Sequence, residues 1–473
     1  MAIKPKLNVS GYRGIWGETL TEEIVKNYVR AFAFFTKEEL KKQNINILIG
    51  RDGRGSGPQI KKVILQELEN LGVNAIDGDI MPTPTVLFSV RKHKYDGAII
   101  ITASHNPIEY NGLKFINKKA LFLENTEIKK VNEYYTKEIS GKEKNVTSVS
   151  THNFLLKICY AWLASLRNAS RSNTLSFSKE HIDKILANVN VTAIRDRKFK
   201  VAVDMINASA CVMYPYIFEQ LGVELIPLNN IPNGLFAHKP EPLKENLSDL
   251  SELVKNSKAD LGFAHDPDAD RLVVVNENGE VISEEYSLAL GIENVLSKNP
   301  NQKIVINLST SQMNVDIAKK YNSECFRSKI GEGNVVQKMI SLNAIIGGEG
   351  GGGVIYPKIN TARDSFTGLA LILELLAERK QTVSECISTL PKYFIKKDKW
   401  TIEGKNLNEI YLKLKSHFKN AEIDEQDGLR LDFKDSSWIH LRPSNTEPII
   451  RLIGEAKSEN AINKLFEQTK SIL

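Results

Sequence analysis

Cysteine is scarce: Cys159, Cys211, Cys325 and Cys386 are the only four in 473 residues. They lie too far apart for a Cys-x-x-Cys zinc or redox motif, and they argue against a disulfide framework and for a reducing, cytoplasmic setting. No apolar run approaches the roughly 18 residues that a membrane span requires. The opening MAIKPKLNVSGYRG lacks the apolar core of a secretory signal, so triplets such as Asn145-Val-Thr147 carry no glycosylation reading. A large excess of one charge is also missing: 63 Lys and Arg stand against 57 Asp and Glu, a net +6. No cluster of basic and aromatic residues and no RRM, KH or helix-turn-helix signature accompanies that small surplus. Nucleic acid and membrane are therefore not expected as partners, and an anionic small molecule is. What remains is the composition of a globular protein, 42% hydrophobic and 25% charged, long enough for three or four domains.

The chain alternates between helical and strand periods. Residues 21–42 have amphipathic helical spacing with an acidic start, and Ile45–Ile49 reads as a buried strand ended by Gly50-Arg51-Asp52-Gly53. Pro58 sits where a helix begins, and Ala98–Ile101 is a second buried strand. The same grammar of helix end, Leu-Gly stop and new strand recurs at 66–77 and at 217–227. A third unit runs through a strand at Ile304–Leu308, a helix near 312–321 and a strand at Ala344–Ile346. This pattern predicts tandem α/β units. Asn168–Ser178 breaks it and reads as a loop or linker. The last 80 residues read as a helix near 406–418, strands at Leu429–Phe433, Trp438–Leu441 and Ile449–Ile453, and a closing helix over 459–472.

Four loops can carry chemistry. Thr102–Pro107 (TASHNP) follows a buried strand; Ser104 there is either an exposed nucleophile flanked by His105 or part of a capping turn. It is not a Gly-x-Ser-x-Gly elbow, so acyl chemistry has no support. Asp266, Asp268 and Asp270 place three carboxylates at alternate positions in one tight loop. Such carboxylates repel unless a hard cation such as Mg²⁺ or Ca²⁺ sits among them, or else the loop is a solvated acidic turn. An EF-hand is excluded, because its glycine and closing glutamate are missing. Gly347–Gly353 (GGEGGGG) contains a Gly-x-Gly-x-x-Gly pattern, but the strand-like Val354–Pro357 follows where a dinucleotide site needs a helix. It is a loop of close-approaching backbone with one carboxylate, Glu349, or a plain glycine turn. Arg442-Pro-Ser444-Asn445-Thr446-Glu447-Pro448, with Arg451 beyond, is a phosphate cradle or a solvated polar turn.

In this order, TASHNP, DPDADR, the Gly-Glu-Gly loop and RPSNTEP resemble the α-D-phosphohexomutase family, and the likeness runs from Ser10-Gly-Tyr-Arg13-Gly14 to the C-terminus. The resemblance implies an α/β fold: three tandem similar domains with mixed sheets plus a smaller C-terminal α+β domain around a central cleft. Residues 1–178 would carry the phosphoserine loop, 179–298 the metal loop, 299–393 the sugar loop and 394–473 the phosphate loop. It implies transfer of a phosphoryl group between O6 and O1 of a hexose through a bisphosphorylated intermediate, with Mg²⁺ and hexose 1,6-bisphosphate required. By the match, Ser104 is the phosphoserine, and Asp266, Asp268 and Asp270 hold Mg²⁺ with a phosphoserine oxygen. Arg13, His105, Lys114 and Arg271 line the transfer site, with Lys114 as general acid/base once surrounding cations favour its neutral form. Glu349 and position 351 face sugar hydroxyls, and Lys329 faces substrate from the third domain. Arg442, Ser444, Asn445, Thr446 and Arg451 hold the phosphate that is not transferred. The partner implied is a small sugar phosphate bound by a monomer or homodimer, with a hinge at the last domain rather than at Asn168–Ser178.

Two departures stand out. Family sugar loops carry Ser or Asn where this chain has Gly351, and one group carries His where it has Gly353, so one or two sugar hydrogen bonds, about 1 kcal/mol each, are expected to be missing. Asn207-Ala-Ser-Ala also replaces a more usual Asn-Gly-Ala-Gly turn, and 147–178 has no family counterpart. Within the family, SGYRGIWGETLT, the HIDKIL helix at 181–186 and GGEGGGGVIYP look most like phosphoglucosamine mutases, which convert glucosamine-6-phosphate to glucosamine-1-phosphate. The alternatives are phosphomannomutase or phosphoglucomutase activity, a sugar-phosphate-binding relative without catalysis, and a metal-dependent phosphatase.

Overall fold

A computed structural model describes residues 7–8, 11–142, 173–401, 406–443 and 449–472. The first sheet contains β1 (Tyr12–Ile15), β2 (Asn46–Arg51), β3 (Asn74–Ile80), β4 (Gly97–Ile101) and β5 (Tyr110–Asn117) in the order β1-β5-β4-β2-β3. The second contains β6 (Lys200–Asp204), β7 (Glu224–Leu228), β8 (Leu261–His265) and β9 (Leu272–Val275) in the order β7-β6-β8-β9. The third contains β10 (Lys303–Asn307), β11 (Glu324–Ser328), β12 (Ile346–Glu349) and β13 (Gly353–Ile355) in the order β11-β10-β12-β13. One plan is used three times. In the first unit β1 is an addition that pairs antiparallel with β5. Counted from β2, β6 and β10, the first strand of each unit pairs in parallel with the second and third, and the fourth runs antiparallel beside the third. The recurring helix-stop-strand grammar is thus a structural repeat.

The central strands β2, β4, β6 and β10 are rich in Ile, Val and Leu and buried on both faces, as parallel strands covered by helices must be. The helices show ordinary end chemistry: Thr21 caps Glu22–Leu40 by accepting from the Ile24 N–H, and Gly222 ends Tyr214–Leu221 in the left-handed region. The second and third units share one core cluster, which runs from Val201 and Phe263 through Ile306 to Leu369. No helix among the described residues is long and apolar enough to cross a membrane.

The fourth unit is an antiparallel sheet of β14 (Phe394–Thr401), β15 (Glu422–Asp424), β16 (Leu429–Asp432), β17 (Trp438–Pro443) and β18 (Ile449–Ala456) in the order β14-β18-β17-β16-β15. Sequence reading missed β14 and β15, because Phe394–Thr401 carries four consecutive charged residues, Lys396–Lys399, and lacks a Val/Ile run. The helices Leu407–His417 and Glu459–Lys470 pack their apolar faces on one side of this sheet.

Two other expectations are corrected. The third strand of the third unit is Ile346–Glu349, shifted toward the glycines from Ala344–Ile346. Residues 173–178 are not linker but lie in a helix described over 173–186. Burial overrides the weak helix propensity of Asn-Thr-Leu-Ser-Phe-Ser. Phe177 joins the core of the first unit, while Ile182 and Ile185 join that of the second and third. His181 between them is fully buried, 3.1 Å by Nδ1 from Thr85 Oγ1 and 2.8 Å by Nε2 from Asp364 Oδ2. Asp364 in turn caps the helix Ser365–Arg379. Residues 143–172, including most of Asn168–Ser178, lie outside the described residues.

Candidate active site

The three functional loops of the first three units occupy one topological position. TASHNP joins β4 to β5, DPDADR joins β8 to β9, and the glycine loop joins β12 to β13, each linking the third strand of its unit to the fourth. The loop that follows each first strand braces its neighbour. After β2, the buried Arg54 donates to the carbonyls of Ser104 (2.6 Å), Asn106 (2.7 Å), Pro107 (2.6 Å) and Tyr110 (2.9 Å) and pairs with Asp52 at 3.0 Å. After β6, the Ser209 hydroxyl donates to the Pro267 carbonyl at 2.7 Å, which gives the Asn-Ala-Ser-Ala departure a purpose. After β10, the Gly350 N–H donates to Thr310 Oγ1 at 3.0 Å.

Arg54 was not identified from sequence, since a single Asp-Gly-Arg carries no motif, although its place after a buried strand was visible. Its guanidinium fits several acceptors at once, whereas a lysine ammonium has three donors and no planar fork. Arg54→Lys is therefore expected to orphan buried carbonyls at about 1–3 kcal/mol each. It should lower the melting temperature and cut kcat/KM by about 10- to 100-fold through a displaced Ser104 loop. Thermal melts beside steady-state kinetics check this.

Ser104 is buried and lies in the left-handed region at φ 51°, a strained conformation for a serine, held by its N–H to Thr102 Oγ1 at 2.8 Å. The turn aims its hydroxyl across the unit boundary, where it donates to Asp266 Oδ2 at 3.1 Å and lies 3.3 Å from His105 Nδ1. Burial, then Arg271 and Arg13, pushes His105 down to about 2, so the imidazole is neutral at physiological pH. Arg13 (on β1) and Arg271 each keep a buried Nε–H without a partner among the described residues. Two uncommitted guanidinium donors beside a serine hydroxyl suit a phosphoryl group.

Asp266, Asp268 and Asp270 are each 0% exposed, with one oxygen from each within 4.8 Å of the others. Burial, and then Asp270 and Asp268, pushes Asp266 well above the usual carboxylate range. Asp268 Oδ1 and Asp270 Oδ1 have no hydrogen-bond partner among the described residues. Crowded, desolvated oxygen donors with free lone pairs fit a hard divalent cation. The solvated-turn alternative fails on burial alone. Thr83, unrecognised in the sequence, donates to Asp268 Oδ2 at 2.8 Å from the first unit.

Lys114, on β5, corrects an expectation. Its neighbours are carboxylates rather than cations, with Nζ 2.7 Å from Asp268 Oδ2 and 3.9 Å from Asp270 Oδ2.

Glu349 accepts from Asn307 Nδ2 at 2.8 Å and from the Gly331 N–H at 2.9 Å. Its other oxygen lies 3.3 Å from Arg363 NH1. Arg363, also missed in the sequence, joins the aspartate loop to the glycine loop: its guanidinium contacts Asp270, Glu349 and Glu332, the last at 3.2 Å. This explains one departure. A Cβ on Gly353 would collide with the Arg363 side chain, so the arginine takes the space a family histidine would need. At Gly351 a Cβ would meet nothing nearer than Arg271 at 3.9 Å, so that side chain is simply absent.

Beneath the loop, Glu285 accepts from the Ser311 N–H at 3.0 Å, and a Cβ on Gly350 would strike its carboxylate. Burial, with Glu284 adding and Lys397 opposing, pushes Glu285 up to about 8 from 4.5. An acid raised on folding is neutral in the native state while the unfolded chain ionises, so this burial costs stability as pH rises from 4.5 to about 8. Glu285→Gln removes that cost. Its melting temperature relative to wild type is expected to climb between pH 5 and pH 8.5, as thermal scans would show.

Lys329 is exposed just after β11. The next residue, Ile330, donates its N–H to Asp427 Oδ2 at 3.0 Å, and Asp427 Oδ1 accepts from Arg442 Nε at 3.0 Å, so the third unit's turn and Arg442 share one carboxylate. Arg451 lies directly opposite Arg442 in the sheet. Ser444, Asn445 and Thr446 lie outside the described residues.

Known proteins share this order of domains. Residues 4–142, 179–279, 283–394 and 402–471 match, in order, the three alpha/beta/alpha domains and the C-terminal domain of phosphoglucomutase/phosphomannomutase. A phosphoglucomutase/phosphomannomutase of Thermococcus kodakarensis is 34% identical over 97% of this chain and 96% of its own. A phosphoglucosamine/phosphogalactosamine mutase of Sulfurisphaera tokodaii is 33% identical over 98% of both. A crystal structure of a phosphoglucomutase/phosphomannomutase family protein from Burkholderia thailandensis superposes with a TM-score of 0.82 at 25% identity, covering 100% of this chain and 98% of that one.

Proposed function

The chain belongs to the phosphoglucomutase/phosphomannomutase family of phosphohexomutases, and from that premise we propose that it interconverts glucosamine-6-phosphate and glucosamine-1-phosphate through a phosphorylated Ser104. The observation that carries the reading is the Ser104 hydroxyl, strained and aimed at 3.1 Å onto a buried carboxylate triad. The amino sugar is favoured by the opening, the 181–186 helix and the glycine loop, and by the Sulfurisphaera relative's name. Glucose or mannose phosphate is the second reading. It is supported by the Thermococcus relative and by a loop whose Gly351 offers no side chain to the sugar.

Asp266, Asp268 and Asp270 would hold Mg²⁺, which when bound supplies positive charge beside the Ser104 oxygen. In each half-reaction the bond between phosphorus and one oxygen breaks as that to the other forms, between Ser104 Oγ and a sugar hydroxyl. Lys114 is the residue proposed to relay the proton from that hydroxyl to the departing Ser104 oxygen, so no proton is gained or lost overall. Arg13 and Arg271, through their free N–H groups, stabilise charge on the moving group. Glu349, fixed by Asn307, Gly331 and Arg363, retains lone pairs for sugar hydroxyls. Arg442 and Arg451, with Ser444, Asn445 and Thr446 and with Lys329 facing them, hold the other phosphate, so either end of the sugar can face Ser104 once the hexose 1,6-bisphosphate turns over.

The test is a coupled assay with Mg²⁺ and catalytic sugar bisphosphate, comparing glucosamine-, glucose- and mannose-6-phosphate. The highest kcat/KM should fall to the amino sugar, and a higher value for another sugar transfers the assignment to it. Chelation should abolish turnover, and Mg²⁺ should raise the melting temperature of wild type but not of Asp268→Asn. Turnover insensitive to chelation would refute the metal assignment. Free phosphate in place of the isomer would mark a phosphatase.

A further inference from the structure

The fourth sheet presents one face to the third unit. On it, Arg430 donates to the Leu308 carbonyl, His440 Nδ1 lies 2.8 Å from Ser309 Oγ, and Glu455 accepts from the Gln312 N–H at 2.7 Å. Lys397, in step with them on β14, reaches Glu284 at 2.6 Å and borders a small cavity shared with Arg271 and Gly351. This face therefore looks toward the site.

One residue pair further along, the register sets Lys399 opposite Arg451 and Arg451 opposite Arg442, a row of three cations across β14, β18 and β17. Residues directly opposite share a face, with Cβ atoms about 5 Å apart, and like charges so placed destabilise a sheet. Arg442 has Asp427, but neither Lys399 nor Arg451 has an ion-pair partner among the described residues, and both are exposed. The spacing and charge of this row suit one doubly charged phosphate monoester.

We propose that Lys399 is a third cation of the distal phosphate site, binding the substrate phosphate together with Arg451 and Arg442. This rests on the phosphohexomutase reading for the identity of the ligand. The charge is unmotivated otherwise, since Lys396 on the opposite face of the same strand is committed to Asn463 at 2.5 Å. Because the distal phosphate is held alike in ground and transition states, Lys399 contributes uniform binding: its loss should raise KM and leave kcat alone.

The test compares wild type, Lys399→Gln, Lys399→Arg and Lys396→Gln as full-length protein. Lys399→Gln is expected to raise KM for the hexose 6-phosphate about 5- to 10-fold with kcat unchanged within two-fold, Lys399→Arg to restore it, and Lys396→Gln to match wild type. Calorimetric titration with inorganic phosphate should show one site weakened by a similar factor in Lys399→Gln alone, at unchanged melting temperature. Superimposable phosphate isotherms for wild type and Lys399→Gln would overturn the proposal, as would a fall in kcat at constant KM. If wild type turns over no hexose phosphate and Lys399→Gln still weakens phosphate binding, the mutase reading falls and the anion site stands.

Discussion

Ser104→Ala is expected to lower turnover of every hexose phosphate by at least ~10³-fold without disturbing the fold. In the proposed mechanism the Ser104 hydroxyl oxygen is the atom through which the phosphoryl group enters and leaves the protein, so no other residue substitutes for it. Its structural debt is small. It donates a single hydrogen bond, to Asp266, and the loop around it is held by Thr102 and Arg54 through backbone atoms that alanine keeps. The variant should melt close to wild type and still take up Mg²⁺. Phosphate analysis of the purified protein provides an independent readout, with wild type carrying covalent phosphate that Ser104→Ala lacks. Residual turnover within ten-fold of wild type would remove Ser104 from the mechanism.

Arg363→Met should act on both stability and catalysis. The side chain is 14% exposed and touches Asp270, Glu332 and Glu349. Taking away one partner of a buried ion pair costs about 3–5 kcal/mol, because the other charge is left desolvated and alone. That is a large share of the 5–15 kcal/mol by which native proteins are typically stable. The loss has a pH signature. Burial pushes Glu332 up to about 7 from 4.5, with Arg363 pulling the other way. Without Arg363 the carboxyl moves further up. From 4.5 to about 7 both proteins lose stability alike. Above 7 the wild-type carboxyl ionises beside Arg363 while the variant's stays protonated, so the variant falls further below wild type as pH rises through 7 and is closest to it in mild acid. Catalysis should suffer through KM, since Glu349 loses the group that orients one of its oxygens. Melting curves at pH 5 and pH 8 and a KM-against-kcat comparison check both parts. A variant equally stable at both pH values would show that Arg363 is not the compensating charge.

The division between what could be read in the chain and what could not follows the physics of the residues. Ser104, the three aspartates and the glycine loop were legible because their chemistry is local: a serine on a turn, repelling carboxylates two apart, and backbone without side chains all announce themselves within seven residues. The repeat was legible as grammar, and the shared strand order supplies its geometry. Arg54 and Arg363 were not legible. Each is one arginine among many, and its meaning comes from carbonyls or carboxylates brought to it by the fold. Lys114 was identified as a site residue but given the wrong company, since its ion pair is with Asp268, 154 residues away. The stretch 173–178 misled because a poor helix former becomes helical when Phe177 has a core to enter.

The tie between His181 and Asp364 has a consequence for the order in which the molecule acquires activity. Its ends are 183 residues apart, and the Ser104–Asp266 and Thr83–Asp268 contacts span 162 and 185. Contacts of such span require closure of very long loops, which slows their formation relative to local helices and strands. Each repeat can form its own sheet from nearby residues, yet no repeat contains an active site. On refolding, helical and strand signal returns first, while the buried aspartates and Ser104 meet only when the units dock. A nascent chain likewise cannot bring Ser104 to Asp266 or Thr83 to Asp268 until residue 268 has left the ribosome, and the tie from His181 to Asp364 forms later still.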